Sequence, residues 1–247
     1  MIKCVLFDLD GTLLPINQDE FLREYLKHLG ARVAQVVDSK KFIGQLLAST
    51  EVMIKSRDKV KTNQQVFLED FLPNIGVAAD VLMPVIDGFY ETDFVLVKPT
   101  TNYNVAARQA VLAVAELGLD VVIATNPIFP ISAIRQRIDW AGVGDIDFKF
   151  VTSYEECHFC KPHPDYYLEI AERIGRHPTE CLMVGNDVGE DLAAAMIGMK
   201  TYLVTDCLLN RKNIAVKTDY QGTLTELAAT IALIIKSENH ADDHRNE

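Results

Sequence analysis

Residues 2–12 read I-K-C-V-L-F-D-L-D-G-T, and the rest of the chain is organised around this stretch. Ile2 to Leu9 is an apolar run of strand length that stops at an Asp-Gly turn signal, which reads as a buried β-strand. Asp8 and Asp10 lie two residues apart at its carboxyl end, so their side chains point the same way. In an open α/β sheet, ligands bind beyond the carboxyl ends of the strands. The residues just past each of the other apolar runs therefore bear most on function.

Four more runs have strand character: Val121 to Thr125, Phe148 to Thr152, Leu182 to Gly185 and Thr201 to Thr205. Apolar residues at helical spacing fill the intervals, at roughly Asn104 to Leu117, Ile131 to Ala141, Asp165 to Ile174 and Glu190 to Ile197, with a closing helix over Leu224 to Ile235. Strands alternating with helices predict an α/β fold with a parallel sheet. From about Pro15 to Lys98 the rhythm changes. Amphipathic stretches at Glu20 to Leu29, Lys41 to Lys55, Asn63 to Phe71 and Ala79 to Tyr90 succeed one another without a strand, as expected of an inserted helical cap domain. The expected division is a core of residues 1–14 and 99–235, a cap of 15–98, and a polar tail of 236–247 left outside the fold as disordered.

The chain has 247 residues, 49% of them hydrophobic, with a formal net charge of −11. The acidic balance argues against nucleic acid and anionic membrane surfaces as partners, since both select basic footprints. The longest apolar runs, such as Ala228 to Ile235, are too short to span a bilayer. Met1 to Phe7 lacks the length and cleavage site of a secretory signal. Five scattered cysteines, an odd number, suggest no disulfide framework. A reducing cytoplasm is the expected location, and no apolar stripe assigns an oligomeric state.

The residues at the strand ends suit phosphoryl transfer. Asp8, Asp10, Gly11 and Thr12 come after the first strand, and Thr125 and Asn126 after the second. Lys161 comes after the third by a short loop, and Gly185, Asn186, Asp187 and Asp191 after the fourth. A carboxylate is a competent covalent nucleophile toward phosphorus, which assigns that role to Asp8. Nucleophile and phosphate are both anionic, so cations must bring them together. Mg²⁺ takes oxygen ligands and keeps several waters, so Asp8, the Asp10 carbonyl and Asp187 are a sufficient protein set. Lys161 would neutralise another phosphate oxygen, while Thr125, Asn126, Thr12 and backbone N–H groups donate hydrogen bonds. Gly11 lets the backbone turn sharply against the phosphate. Asp10, beside the nucleophile, can protonate the leaving oxygen and then activate water. Asn186 and Asp191 are read as supporting groups, Asp191 holding Lys161 or a metal-bound water.

D-L-D-G-T at 8–12, a strand ending in Thr125, Lys161 before a proline and G-N-D-x-x-x-D at 185–191 resemble, in order, the four motifs of the haloacid dehalogenase superfamily. The resemblance covers residues 1–14 and about 99–235. The helical insert is similar to the cap of β-phosphoglucomutase-like and phosphoglycolate phosphatase-like members. It implies a Rossmann-like core with Mg²⁺ between core and cap, and substrate choice by cap residues and the loop after Asp10. It also makes Asp10 diagnostic: the aspartate implies phosphatase or phosphomutase rather than carbon–halogen chemistry. The expected activity is Mg²⁺-dependent hydrolysis of a small phosphorylated metabolite through an aspartyl-phosphate. The alternatives are a phosphonatase, a phosphomutase or a catalytically idle binding protein of the same superfamily.

Other residues carry open readings. Lys55, Arg57, Lys59 and Lys61 form either a solvated basic run or a contact to an anionic substrate, the former preferred. Cys157 and Cys160, with His158 and His163, have metal-knuckle spacing but lack a second C-x-x-C, so free thiols packed on the core are preferred. A thiol near Lys161 would have a lowered pKa. Phe129 is either a helix-entry staple or a wall of the substrate pocket, and Asn17 and Asp19 are hinge contacts or an N-cap. Trp140 reads as packing.

Overall fold

In the computed structural model, which describes residues 1–243, the opening apolar run forms strand β1 (Cys4–Phe7), buried at every position. Strands β2 (Asp120–Ile123), β3 (Phe150–Val151), β4 (Cys181–Gly185), β5 (Lys200–Val204) and β6 (Tyr220–Gly222) complete one sheet in the order β3-β2-β1-β4-β5-β6. Every neighbouring pair is parallel. This is the Rossmann-like α/β sheet expected, with one strand more. β6 is short, polar and at the edge, so it carries no apolar run by which to recognise it.

Alternation along β1 divides the core in two. Val5 and Phe7 face the larger cluster, while Cys4 and Leu6 face a second one built with Met183 and Tyr166. Helices α5 (Val105–Ala115) and α8 (Leu224–Asp243) pack together, with Val111, Val114, Leu227 and Ile231 in the larger cluster. Helix α7 (Pro164–Ile174) covers the opposite face, through Tyr166, Tyr167 and Ile170. Helix α6 (Ile131–Trp140) comes after β2. The segment Asp191–Ile197, expected as an α-helix, is a tighter 3₁₀ helix. Its bonds run to the third residue back, as from Ala193 N–H to Glu190 O.

The helical block between β1 and β2 comprises α1 (Gln18–Val33), α2 (Ser39–Lys55), α3 (Asn63–Ile75) and α4 (Ala79–Gly88), then a π-helical turn Phe89–Asp93 and a 3₁₀ helix Phe94–Thr100. Local signals set these starts. Asn17 caps α1 by accepting from Glu20 N–H, Asp38 caps α2, and Thr62 with Gln65 forms a capping box on α3. Two ties join the block to the sheet. The chain leaves and returns side by side, with Ile16 paired antiparallel to Thr101 and Asn102 N–H donating to Pro15 O at 2.9 Å. At the other tie, the first N–H groups of α3 dock on core loops, Asn63 to Cys157 O at 2.7 Å and Gln64 to Tyr154 O at 2.8 Å.

Between the ties lies an aromatic cluster. Phe94 is fully buried, meets Phe21, Tyr25 and Phe89 edge-on, and stacks on Trp140 at 5.3 Å between ring centroids. The tryptophan is therefore packing, as its place in the sequence suggests.

The C-terminal expectation needs correction. α8 continues to Asp243, past the predicted stop at Ile235. Polar anchors extend it: Asn239 Oδ1 accepts from Ile2 N–H, and Glu238 meets Tyr220 Oη and Lys200. Residues 244–247 of the expected tail lie outside the described residues.

Phe94→Ala removes the ring common to these contacts. It should cost about 3–5 kcal/mol, as large-to-small changes in packed cores do, measured by urea denaturation. A loss under about 1 kcal/mol would mean that the cluster does not hold block and sheet together.

Candidate active site

The sheet ladder places the first carboxylate. Asp8 N–H donates to Val184 O at 2.9 Å while Ala124 N–H donates to Phe7 O at 2.7 Å, so Asp8 emerges between β2 and β4. Thr125 and Asp187 emerge just beyond it on the flanking strands. The turn after Asp8 closes tightly, with Gly11 at φ +86°. A Cβ at Gly11 would sit 2.4 Å from Asn186 Nδ2, so glycine is required for conformation and for space.

Lys161 Nζ is the electrostatic centre. It is 2.8 Å from Asp8 Oδ1 and 2.6 Å from Asp191 Oδ1, and its side chain is 1% exposed. Burial alone would favour the neutral amine, but Asp191 and Asp8 outweigh it and raise the lysine well above its ordinary pKa. Burial pushes the Asp191 carboxyl upward against the pull of Lys161. Asp191 also accepts Asp187 N–H at 2.9 Å, which ties the lysine to the loop after β4.

The other Asp8 oxygen lies 3.1 Å from Thr12 Oγ1, which is itself 3.0 Å from Asn186 Oδ1. Asn186 is locked by donating to Cys207 O at 2.6 Å. A carboxylate has about four lone-pair positions, so these two contacts leave Asp8 with lone pairs free.

The Lys161 loop is braced on several sides. Asn126 Oδ1 accepts Lys161 N–H at 3.2 Å, and His163 caps α7. Tyr166 Oη donates to Thr125 O at 2.8 Å and Tyr167 Oη to Glu190 O at 2.6 Å, so α7 supports both flanking loops. The structure thus brings Asp8, Asp10, Gly11, Thr12, Thr125, Asn126, Lys161, Asn186, Asp187 and Asp191 to one mouth. Asp8, Asp10, Thr125, Asn126, Asn186, Asp187 and Asp191 line a pocket of about 270 Å³ there.

Asp10 has a partner that no sequence motif marks. Its Oδ2 is bound by Arg137 Nη1, from a guanidinium side chain 1% exposed. Arg137 also donates to Ala133 O and lies 4.5 Å over the Phe129 ring, leaving Nη2 without a partner. Asp10 Oδ1 is likewise buried and unpartnered. Burial raises the Asp10 pKa, and Arg137 opposes it. A faint signal existed, since Arg137 falls on the apolar stripe of α6 with Ala133, Ile134 and Ile138. Two further pocket residues also belong to no motif. Glu190 accepts from Asn126 Nδ2 at 3.2 Å, and Arg211 lies 3.9 Å from Asp187 Oδ2.

The donor set here is all oxygen: the Asp8 and Asp187 carboxylates and the Asp10 carbonyl. Asp187 is shaped by accepting Gly189 N–H at 2.7 Å and Glu190 N–H at 3.0 Å. Among the described residues no three side chains already form a metal cluster. Oxygen donors of this kind, two carboxylates and a carbonyl, fit the ligand chemistry of Mg²⁺.

Cys157 and Cys160 are free, buried thiols as expected, but the lowered pKa expected near Lys161 is corrected. Burial pushes the Cys157 thiol up to about 12 and raises Cys160 as well, so neither is activated by Lys161. His158 instead pairs with Glu169 at 2.7 Å. Of the basic run, Lys55 pairs with Glu51 and Lys61 with Glu69, and Arg57 bonds backbone carbonyls. None of the four lines the pocket. Asn17 serves as an N-cap, Asp19 reaches the pocket wall, and Phe129 is a wall residue.

Comparison with known proteins gives the family and the fold. The sequence model of the haloacid dehalogenase-like hydrolases matches residues 2–197. The chain is 25% identical over 206 residues to a bifunctional riboflavin kinase/FMN phosphatase of Arabidopsis thaliana, covering 82% of this chain but only 48% of that protein. It is 27% identical over 226 residues to a pyrophosphatase of Bacillus mycoides, covering 89% and 91% of the two chains. Among solved structures, CbbY from Rhodobacter sphaeroides in complex with phosphate is similar, with TM-score 0.59, 17% identity and 92% and 96% coverage.

Asp10→Ala strands the buried guanidinium and should cost about 3–5 kcal/mol. Arg137→Leu should cost less, because Asp10 can take up a proton. The double variant should be more stable than the sum of the singles by about 1–3 kcal/mol in a denaturation cycle. Additive losses would refute the pairing.

Proposed function

We propose that this chain, which belongs to the haloacid dehalogenase-like hydrolases, is a Mg²⁺-dependent phosphatase that hydrolyses a small phosphate monoester through an aspartyl-phosphate on Asp8. The observation that carries the reading is the Lys161 ammonium held against the Asp8 carboxylate at 2.8 Å, with Thr12 on the other oxygen. That arrangement orients a carboxylate beside a fixed positive charge. Phosphoryl transfer needs this combination, because positioning and charge neutralisation supply most of its catalysis.

An Asp8 oxygen attacks phosphorus from the strand end. Asp10 delivers a proton to the leaving oxygen; with Oδ2 on Arg137, Oδ1 is the oxygen left to carry it. After the alcohol departs, Asp10 takes the proton of the attacking water, which frees inorganic phosphate and restores Asp8. Lys161 holds charge on the transferring group, and Thr125 and Asn126 bound the phosphate site. Asp8, the Asp10 carbonyl and Asp187 would hold Mg²⁺, whose bound charge would offset the repulsion between phosphate and carboxylates.

The helical block acts as the cap in this reading, residues 15–98 against a core of 1–14 and 99–235. The relatives' names point to phosphate compounds of differing leaving groups, so the phosphoryl group is the common element. Phosphonatase chemistry through a basic cap residue gains no support, since Lys55, Arg57, Lys59 and Lys61 stand off the pocket wall. A cytoplasmic metabolite is the expected substrate. Among the described residues no helix is long and apolar enough to cross a membrane.

Phosphate release from acetyl phosphate and from 4-nitrophenyl phosphate should require Mg²⁺ and stop with EDTA. Asp8→Asn should fall below about a thousandth of wild-type turnover. A folded Asp8→Asn protein that keeps its activity would sink the covalent mechanism. Lys161→Met should lower kcat more than it raises KM if the ammonium acts mainly on the transition state.

A further inference from the structure

Beside the reaction pocket a second chamber of about 250 Å³ lies between the helical block and the core residues Ile128, Phe129, Pro130 and Tyr154. The two share Leu22, Ile128 and Phe129 as a common wall. Leu22 is 44% exposed on that wall, an apolar side chain left without full cover. Beyond it the lining is aliphatic and aromatic, with Leu26, Phe42, Leu46 and Phe67 among its residues. Among the described residues no ionisable side chain other than tyrosine lines it.

Each of the few hydroxyl groups has a protein partner. Tyr25 Oη and Tyr90 Oη meet at 2.8 Å, Gln64 Nε2 donates to Tyr154 Oη at 3.3 Å, and Thr50 Oγ1 donates to Leu46 O at 2.8 Å. Water in this chamber has few partners, whereas an apolar group loses nothing by entering it. An apolar cavity of about 150 Å³ accepts benzene, so this one has room for one ring or two fused rings.

The reaction pocket carries the opposite message. Its wall holds six carboxylates, from Asp8, Asp10, Asp19, Asp187, Glu190 and Asp191, with Arg211 as the one cation on it among the described residues. One phosphate is matched by Lys161 and the metal set; a second anionic group would face carboxylates.

Building on the phosphatase reading above, we propose that the chamber receives the leaving group, and that the substrate is a phosphate monoester of an alcohol bearing one or two aromatic rings and no second anionic group. In the reaction the bond between phosphorus and the aromatic alcohol's oxygen breaks as the Asp8–phosphorus bond forms. Asp10 supplies the proton to that oxygen. Water then attacks phosphorus, gives its proton to Asp10, and inorganic phosphate leaves.

The test compares two primary-alcohol esters, so that leaving-group acidity is matched: 2-(1-naphthyl)ethyl phosphate and propyl phosphate. The aromatic ester should have kcat/KM higher by about tenfold or more, through apolar burial. Leu46→Trp and Met83→Trp, which fill the chamber, should each cut that ratio by about tenfold, with folding checked by circular dichroism. Calorimetry on Asp8→Asn, whose chamber is intact, provides an arm independent of turnover and of those variants. There the naphthyl ester should bind about tenfold tighter than the propyl ester. Equal affinities, or hydrolysis with no preference, would overturn the chamber assignment alone. Tighter naphthyl binding without phosphate release from any ester would instead overturn the phosphatase reading and leave the chamber standing.

Discussion

A lysine ammonium between two carboxylates, out of reach of water, is the constraint around which the core is arranged. Lys161 bridges Asp8 and Asp191, groups that leave the sheet from different strands. Burying a lysine ammonium with its carboxylate partners is costly, and the cost is met only when geometry and further hydrogen bonds are good. The surroundings provide both. Thr12 meets Asp8, Asp187 N–H meets Asp191, and Asn126 meets the Lys161 backbone. The tyrosines of α7 brace the loops that carry these groups. Strand order, the Gly11 turn and the docking of α7 all converge on holding one positive charge in place.

A second buried pair repeats the pattern where core and helical block meet. Arg137 grips Asp10 with its guanidinium over Phe129, and Phe129 belongs to the aromatic cluster that runs through Tyr25 and Phe21 into the helical block. The residue assigned to proton transfer is therefore mechanically continuous with the surface that would sense the leaving group. Packed aromatic side chains transmit displacement because interiors have little free volume. Changes in the chamber would reach Asp10 through rings and guanidinium rather than through solvent.

Much of the site was legible because its groups are short-range features of strand ends. Asp8, Asp10 and Gly11 are neighbours in sequence, and an apolar run ending in D-x-D-G-T fixes both their location and their direction. Arg137 was not legible for the opposite reason. Its partner lies 127 residues away, and a basic residue on an apolar helical stripe looks like one that snorkels to solvent. The cysteines misled because proximity to a lysine suggests an activated thiol, yet the charge of Lys161 is taken up by Asp8 and Asp191 while burial governs Cys157. β6 and the last turns of α8 escaped notice because polar contacts at an edge hold them, and those leave no apolar period.

The two ties between the helical block and the sheet differ in kind. The pair of crossings at Ile16 and Thr101 is a single antiparallel bridge, closed by the bond from Asn102 N–H to Pro15 O. The tie at Asn63 and Gln64 is a denser joint, in which two backbone N–H groups and the buried Asn63 side chain all bond core carbonyls. In mechanical terms the first is a clasp and the second a rivet. The helical block is thereby held more firmly at Asn63, midway along its length, than at the point where the chain enters and leaves it.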